Sequence, residues 1–158
     1  MLHSNGFPPR QNQPADTPKQ VLVIEDNLLN LKLLGAIITA HGYKVLEATT
    51  GMLGLELARV HHPAVIVMDF QLPDISGLDA TRILKADIDT ADIAVIGTSA
   101  HAAARDRATE EAGLDAFMPK PISISNFIQV LHSLALRGTA VITSRGTETA
   151  INGPESAT

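Results

Sequence analysis

Three nearly unbroken aliphatic runs constrain what this chain can fold into: QVLVIE at 20–25, AVIVM at 64–68 and IAVIGT at 93–98. A strand without polar alternation has no face to offer water, so both of its faces must be covered. The segments between the runs have helical spacing. From Leu28 to Ala40, apolar residues fall at 28, 31, 34, 37 and 38, with Asn27 placed to cap the start and Gly42 to stop the end. YKVLEA (43–48) alternates like a strand. Thr50 can cap a helix to His61, ended by Pro63. Further helices are predicted over Leu78–Ala86 and Ala102–Ala112, the latter closed by Gly113, with a short strand at 116–118 between that helix and the last one. Ser123 can cap this last helix, whose inner stripe is Phe127, Val130, Leu131 and Leu134. Five strands alternating with five helices predict an α/β fold with a doubly wound parallel sheet between two helical layers.

With 158 residues, 45% of them hydrophobic, the chain suits one domain with a real core. The compact part is read as 20–136. Residues 1–19 hold four prolines with Gln, Asn and Ser and read as a disordered arm, and 137–158, rich in Thr, Ser, Gly and Ala, as a flexible tail. The net charge is −5, and within 20–136 there are 14 acidic against 8 basic residues, which argues against a nucleic-acid-binding face. No cysteine is present, so disulfides and thiolate zinc sites are excluded. There is neither a leader-like N-terminus nor an apolar run of the roughly 18 residues that span a bilayer. A cytoplasmic protein without membrane insertion is the expectation.

In a parallel sheet the residues at the carboxyl ends of the strands share one crevice. Here those ends supply Glu25 and Asp26, then Asp69, then Thr98 and Ser99, then Lys120. Three carboxylates so grouped repel one another unless positive charge sits among them. One lysine and one divalent cation would bring the group to neutrality. All the donors are oxygens, which favours Mg2+ over zinc. The six histidines (3, 41, 61, 62, 101 and 132) avoid the strand ends, except that His101 lies near one, and His61 and His62 read as surface residues at a helix end. Carboxylate, metal, ammonium and hydroxyl together suit phosphoryl transfer, with Asp69 on the central strand as nucleophile and Glu25 and Asp26 holding metal.

The segments VLVIEDN, VMDFQLPDISG, GTSAHA and FMPKPIS, in this order, closely resemble the receiver domain of two-component response regulators. The resemblance covers 20–136, and its flavour is that of stand-alone DivK-type receivers or receivers fused to hybrid kinases. It implies a flavodoxin-like (βα)5 fold with strand order 2-1-3-4-5. It implies Asp69 as phosphoacceptor, Asp26 as a direct Mg2+ ligand, Glu25 as a ligand through water, and the backbone carbonyl of Gln71 as a further ligand. Lys120 would contact the phosphoryl group, and the Lys120–Pro121 bond would be cis. Phe117 matches the switch aromatic, where Tyr is commoner. For the switch hydroxyl, counting forward from Asp69 selects Ser99 and counting back from Lys120 selects Thr98; Ser99 is preferred.

The function implied by the resemblance is that of a single-domain response regulator. It would take its phosphoryl group from a histidine kinase or histidine phosphotransferase and signal through protein contacts on the face of the fourth helix, fifth strand and fifth helix, where Arg105, Asp106 and Arg107 are candidate contacts. The alternatives are a Mg2+-dependent phosphatase with an aspartyl nucleophile and a receiver-like binding module that is not phosphorylated. The phosphatase would want a second Asp two residues after Asp69, where this chain has Gln71.

Overall fold

The computed structural model describes residues 17–101 and 112–151, with 138–151 described as backbone alone. The expected arm up to residue 16, the expected helix over 102–111 with its candidate contacts, and the tail from 152 lie outside the described residues. Five strands are present: β1 (Gln20–Ile24), β2 (Lys44–Ala48), β3 (Val65–Asp69), β4 (Ala94–Ser99) and β5 (Ala116–Pro119). The four described helices are α1 (Leu28–Ala40), α2 (Gly51–His61), α3 (Gly77–Ala86) and α4 (Ile124–Ile151). All strand pairs are parallel, in the order β2-β1-β3-β4-β5. This is the doubly wound flavodoxin-like sheet expected of the sequence.

The strands divide the core in two. One face carries Leu22, Ile24, Ile66, Met68 and Val95 against Leu55 and Ala58 of α2 and Ala80 and Leu84 of α3. The other carries Val21, Val23, Val65, Val67, Ile96 and Met118 against Leu31, Leu34 and Ile38 of α1 and Phe127 and Leu131 of α4. Period-2 alternation assigns each aliphatic to one layer or the other, which is why the runs need no polar positions.

The helix starts follow local chemistry. Asn27 Oδ1 accepts the Asn30 N–H, Thr50 Oγ1 that of Leu53, and Ser76 Oγ that of Asp79. α1 is followed by Gly42 at φ +89, a left-handed position that a residue with a Cβ adopts only at a cost. α4 continues past Leu136 to Ile151. No proline interrupts the chain between Pro121 and Pro154, and Gly138 and Gly146 cost a helix only about 1 kcal/mol each.

Candidate functional site

The strand ends meet because the ladder carries on past them. Glu25 N–H donates to the Ala48 carbonyl at 3.0 Å, Phe70 N–H to that of Thr98 at 3.0 Å, and Lys120 N–H to that of Ser99 at 2.9 Å. Glu25, Asp69 and Lys120 are thereby held in register across β1, β3 and the end of β5.

Lys120 Nζ donates to Glu25 Oε2 at 3.0 Å and to Asp69 Oδ2 at 3.2 Å, reaching across β4 to do so. Asp26 completes the group. A carboxylate oxygen from each of Glu25, Asp26 and Asp69 lies within 4.8 Å of the others. Glu25 and Asp69 are buried and Asp26 is exposed, so the cluster opens to solvent on one side.

Desolvation raises the Glu25 pKa above its usual 4.5, and the Asp69 charge adds to this, against the bonds from Lys120 and from the Asn27 N–H. For Lys120, burial pulls downward, but the hydrogen bond to Glu25 and the Asp69 charge outweigh it, and its pKa rises above 10.5. The ammonium is thus firmly held as a cation. One lysine leaves the three acids undercompensated, and an all-oxygen cluster of this size fits a hard divalent cation such as Mg2+.

The segment after Asp69 folds back tightly. Gln71 N–H donates to Asp69 Oδ1 at 3.1 Å, and Gly77 N–H to the Phe70 carbonyl at 3.0 Å. A Cβ at Gly77 would lie 2.1 Å from the Asp69 carbonyl oxygen, so only glycine lets α3 start this close to the phosphoacceptor candidate. In the middle of the segment, Asp74 accepts two N–H groups from the start of α2, from Gly51 and Met52, each at 2.8 Å. Sequence reasoning missed Asp74. Its partners lie 23 and 22 positions upstream, and no local spacing announces the contact.

The two hydroxyl candidates differ in their commitments. Thr98 is the ladder partner of Asp69, and its buried Oγ1 donates to the Met68 carbonyl at 3.5 Å. Ser99 ends β4, where its Oγ accepts the His101 N–H at 3.0 Å. Phe117, half-buried, stacks obliquely on Phe70 with ring centroids 5.7 Å apart. Gly97 makes room for them, since a Cβ there would come within 2.6 Å of the Phe70 ring. The Lys120–Pro121 peptide is cis. His61 and His62 are exposed at the end of α2, and His62 pairs with Asp92 at 2.9 Å. Among the described residues no helix is long and apolar enough to cross a membrane.

A doubly wound parallel sheet thus carries three acids and a partly buried ammonium at its strand ends. The family model described as the response regulator receiver domain matches residues 21–132, and the chain belongs to that family. The polar-differentiation response regulator DivK of Brucella ovis is 42% identical over 116 residues, covering 73% of this chain and 94% of that protein. The protein of the same description from Brucella anthropi is 42% identical over 117 residues, covering 73% and 95%. Among solved structures, a response regulator receiver domain protein of Clostridium thermocellum superposes with a TM-score of 0.72 at 24% identity, covering 78% of this chain and 98% of that one. The receiver domain of a Pseudomonas aeruginosa PAO1 sensor histidine kinase, solved with a magnesium ion coordinated in its active site cleft, gives 0.69 at 26% identity, covering 75% and 98%.

Proposed function

We propose that this chain is a DivK-like response regulator that accepts a phosphoryl group on Asp69 from the phosphohistidine of a histidine kinase or histidine phosphotransferase. The observation that carries this is Lys120 Nζ bridging Glu25 and Asp69 at 3.0 and 3.2 Å, beside the open carboxylate of Asp26. Held by Glu25, Asp26, Asp69 and the Gln71 carbonyl, Mg2+ would supply positive charge to the phosphoryl oxygens. An Asp69 carboxylate oxygen attacks phosphorus, the phosphorus–nitrogen bond of the donor breaks, and the imidazole leaves with the electron pair. Lys120 stands where it can follow the phosphoryl charge as it arrives on Asp69.

The switch hydroxyl is assigned to Ser99. Both hydroxyls are buried; that of Thr98 donates to the Met68 carbonyl, whereas Ser99, the last residue of β4, accepts the His101 N–H and keeps its own O–H to donate. Phe117, packed on Phe70 and only half-buried, is the side chain with room to follow it. The acyl phosphate adds charge and acceptor oxygens that draw the hydroxyl inward and bias an existing equilibrium of the face around β5. A downstream protein partner reads that face.

For the phosphodonor, an apolar groove of about 430 Å³ runs beside the site. It lies between Leu33, Leu34 and Ile37 of α1 and Ile122, Ile124 and Phe127, with Glu25 and Lys120 on its wall. Leu33 and Ile124 stand exposed in its walls. An apolar helical surface bearing the phosphohistidine would seat there with its phosphoryl group over Asp69.

The test is incubation with acetyl phosphate and Mg2+, followed by intact-mass measurement. One phosphoryl mass is expected on the wild type and none on Asp69→Asn. Continuous release of phosphate from simple phosphoesters would mark a phosphatase, and no uptake at all would mark a binding module; either sinks the reading.

A further inference from the structure

The mid-segment contact between Asp74 and α2 has no role in the chemistry above. An isolated helix leaves its first N–H groups without partners. α2 leaves none of its first three, because Leu53 N–H is taken by Thr50 of its own cap while Gly51 and Met52 are taken by Asp74 from outside. The fourth, on Gly54, reaches the Thr50 carbonyl. Each Asp74 oxygen therefore holds one donor, a charge-assisted pair with a fixed orientation. Those bonds keep the Asp74 pKa below its usual 3.8.

A second observation points the same way. Gly51 carries no Cβ where one would lie 2.5 Å from Ile75 Cγ1 and 3.2 Å from Asp74 Oδ1. The start of α2 is thus shaped to receive Asp74 and Ile75 together. This pair sits midway along a segment whose ends are pinned to β3, at Gln71 by the Asp69 carboxylate and at Gly77 by the Phe70 carbonyl.

We infer that Asp74 is a positioning residue: by clasping the first turn of α2 it fixes the course of residues 71–76, and with it the Gln71 carbonyl and the Asp69 carboxylate that face the metal. The inference rests on the phosphoacceptor reading and adds to it a strut from a helix that contributes no side chain to the site. Groups supporting a metal's ligands from outside typically change affinity by roughly 10–100-fold when removed.

The experiment is a Mg2+ titration of the full chain, followed by backbone amide NMR shifts. Wild type, Asp74→Ala, Asp74→Asn and Thr50→Ala are compared, with amide hydrogen exchange measured on each. Thr50→Ala loosens the same helix end through its own cap and leaves Asp74 in place. The expected result is Mg2+ affinity about tenfold weaker in Asp74→Ala, an intermediate loss in Asp74→Asn, and near wild-type affinity in Thr50→Ala. Exchange at Gln71 should quicken only in the Asp74 variants. Equal losses in Thr50→Ala and Asp74→Ala would reduce the effect to general helix loosening and overturn the inference, as would unchanged affinity in a folded Asp74→Ala whose Gly51 and Met52 amides exchange faster. If the wild type itself neither bound Mg2+ nor gained a phosphoryl group, the phosphoacceptor reading would fall instead.

Discussion

Glu25 is a carboxylate placed at a cost. It is 2% exposed, and burial raises its pKa with the Asp69 charge adding to the effect. The unfolded chain therefore gives up this proton at lower pH than the folded one. As pH rises from 4.5 through the raised folded value, the folded state loses stability relative to the unfolded. Glu25→Gln keeps the shape and an acceptor for Lys120 while removing the charge. Its melting temperature at neutral pH without divalent cations should exceed that of the wild type, with the gap shrinking toward pH 4.5. Added Mg2+ should stabilise the wild type more and close the gap, since a ligand favours the state that binds it. Thermal melts with EDTA and with Mg2+ check this; a Glu25→Gln variant less stable than wild type in EDTA would show the ammonium already compensates the cluster.

At the scale of elements, α2 owes its start to two sources, a cap of its own and a carboxylate from a distant segment. The Asp74 pKa is lowered chiefly by the Met52 N–H, so its contribution has the opposite sign to that of Glu25. It is fully present above 3.8 and is lost as pH falls through the lower folded value. Urea melts between about pH 5 and about pH 2 should show the wild type losing stability that Asp74→Asn does not have to lose. Parallel pH profiles in the two proteins would contradict the contact. The same element shows where sequence reading stops. Thr50 as a cap is legible from one residue and its neighbours. Asp74 is not, because a bond across 23 positions exists only after the sheet has brought β3 beside β1. The choice between Thr98 and Ser99 escapes for a related reason. Counting from Asp69 and from Lys120 gives different answers, and the hydroxyls are told apart only by what each touches, the Met68 carbonyl or the His101 amide.

For the molecule as a whole, the order of layers was legible because chemistry and period agree along the chain. Unbroken aliphatic runs can only be covered strands, and their polar endings can only gather on one side of a parallel sheet. The continuation of α4 to Ile151 was not legible, since the Thr, Ser and Gly that suggested a tail are weak helix formers rather than stops. The layout separates residues that hold the fold from residues that line its surface groove. Leu131 is fully buried between α4 and the sheet, so Leu131→Ala should cost about 2–5 kcal/mol in denaturant melts. Leu33 lines the groove and is 57% exposed, and Leu33→Lys should change stability by no more than about 0.5 kcal/mol. That variant should nevertheless take phosphate slowly from a phosphorylated histidine phosphotransferase and normally from acetyl phosphate. Equal rates from both donors would move the donor's seat elsewhere.

Lys120 spans the sheet from its late-made edge to its centre, stepping over β4 to reach acids on β3 and β1. A polypeptide still being synthesised, with only the first 115 positions available, already owns every acid of the cluster but not its ammonium. Until the closing strand is in place, the buried acids at the ends of β1 and β3 lack the cation that bridges them in the finished sheet. The site is therefore the last part of the fold to be completed.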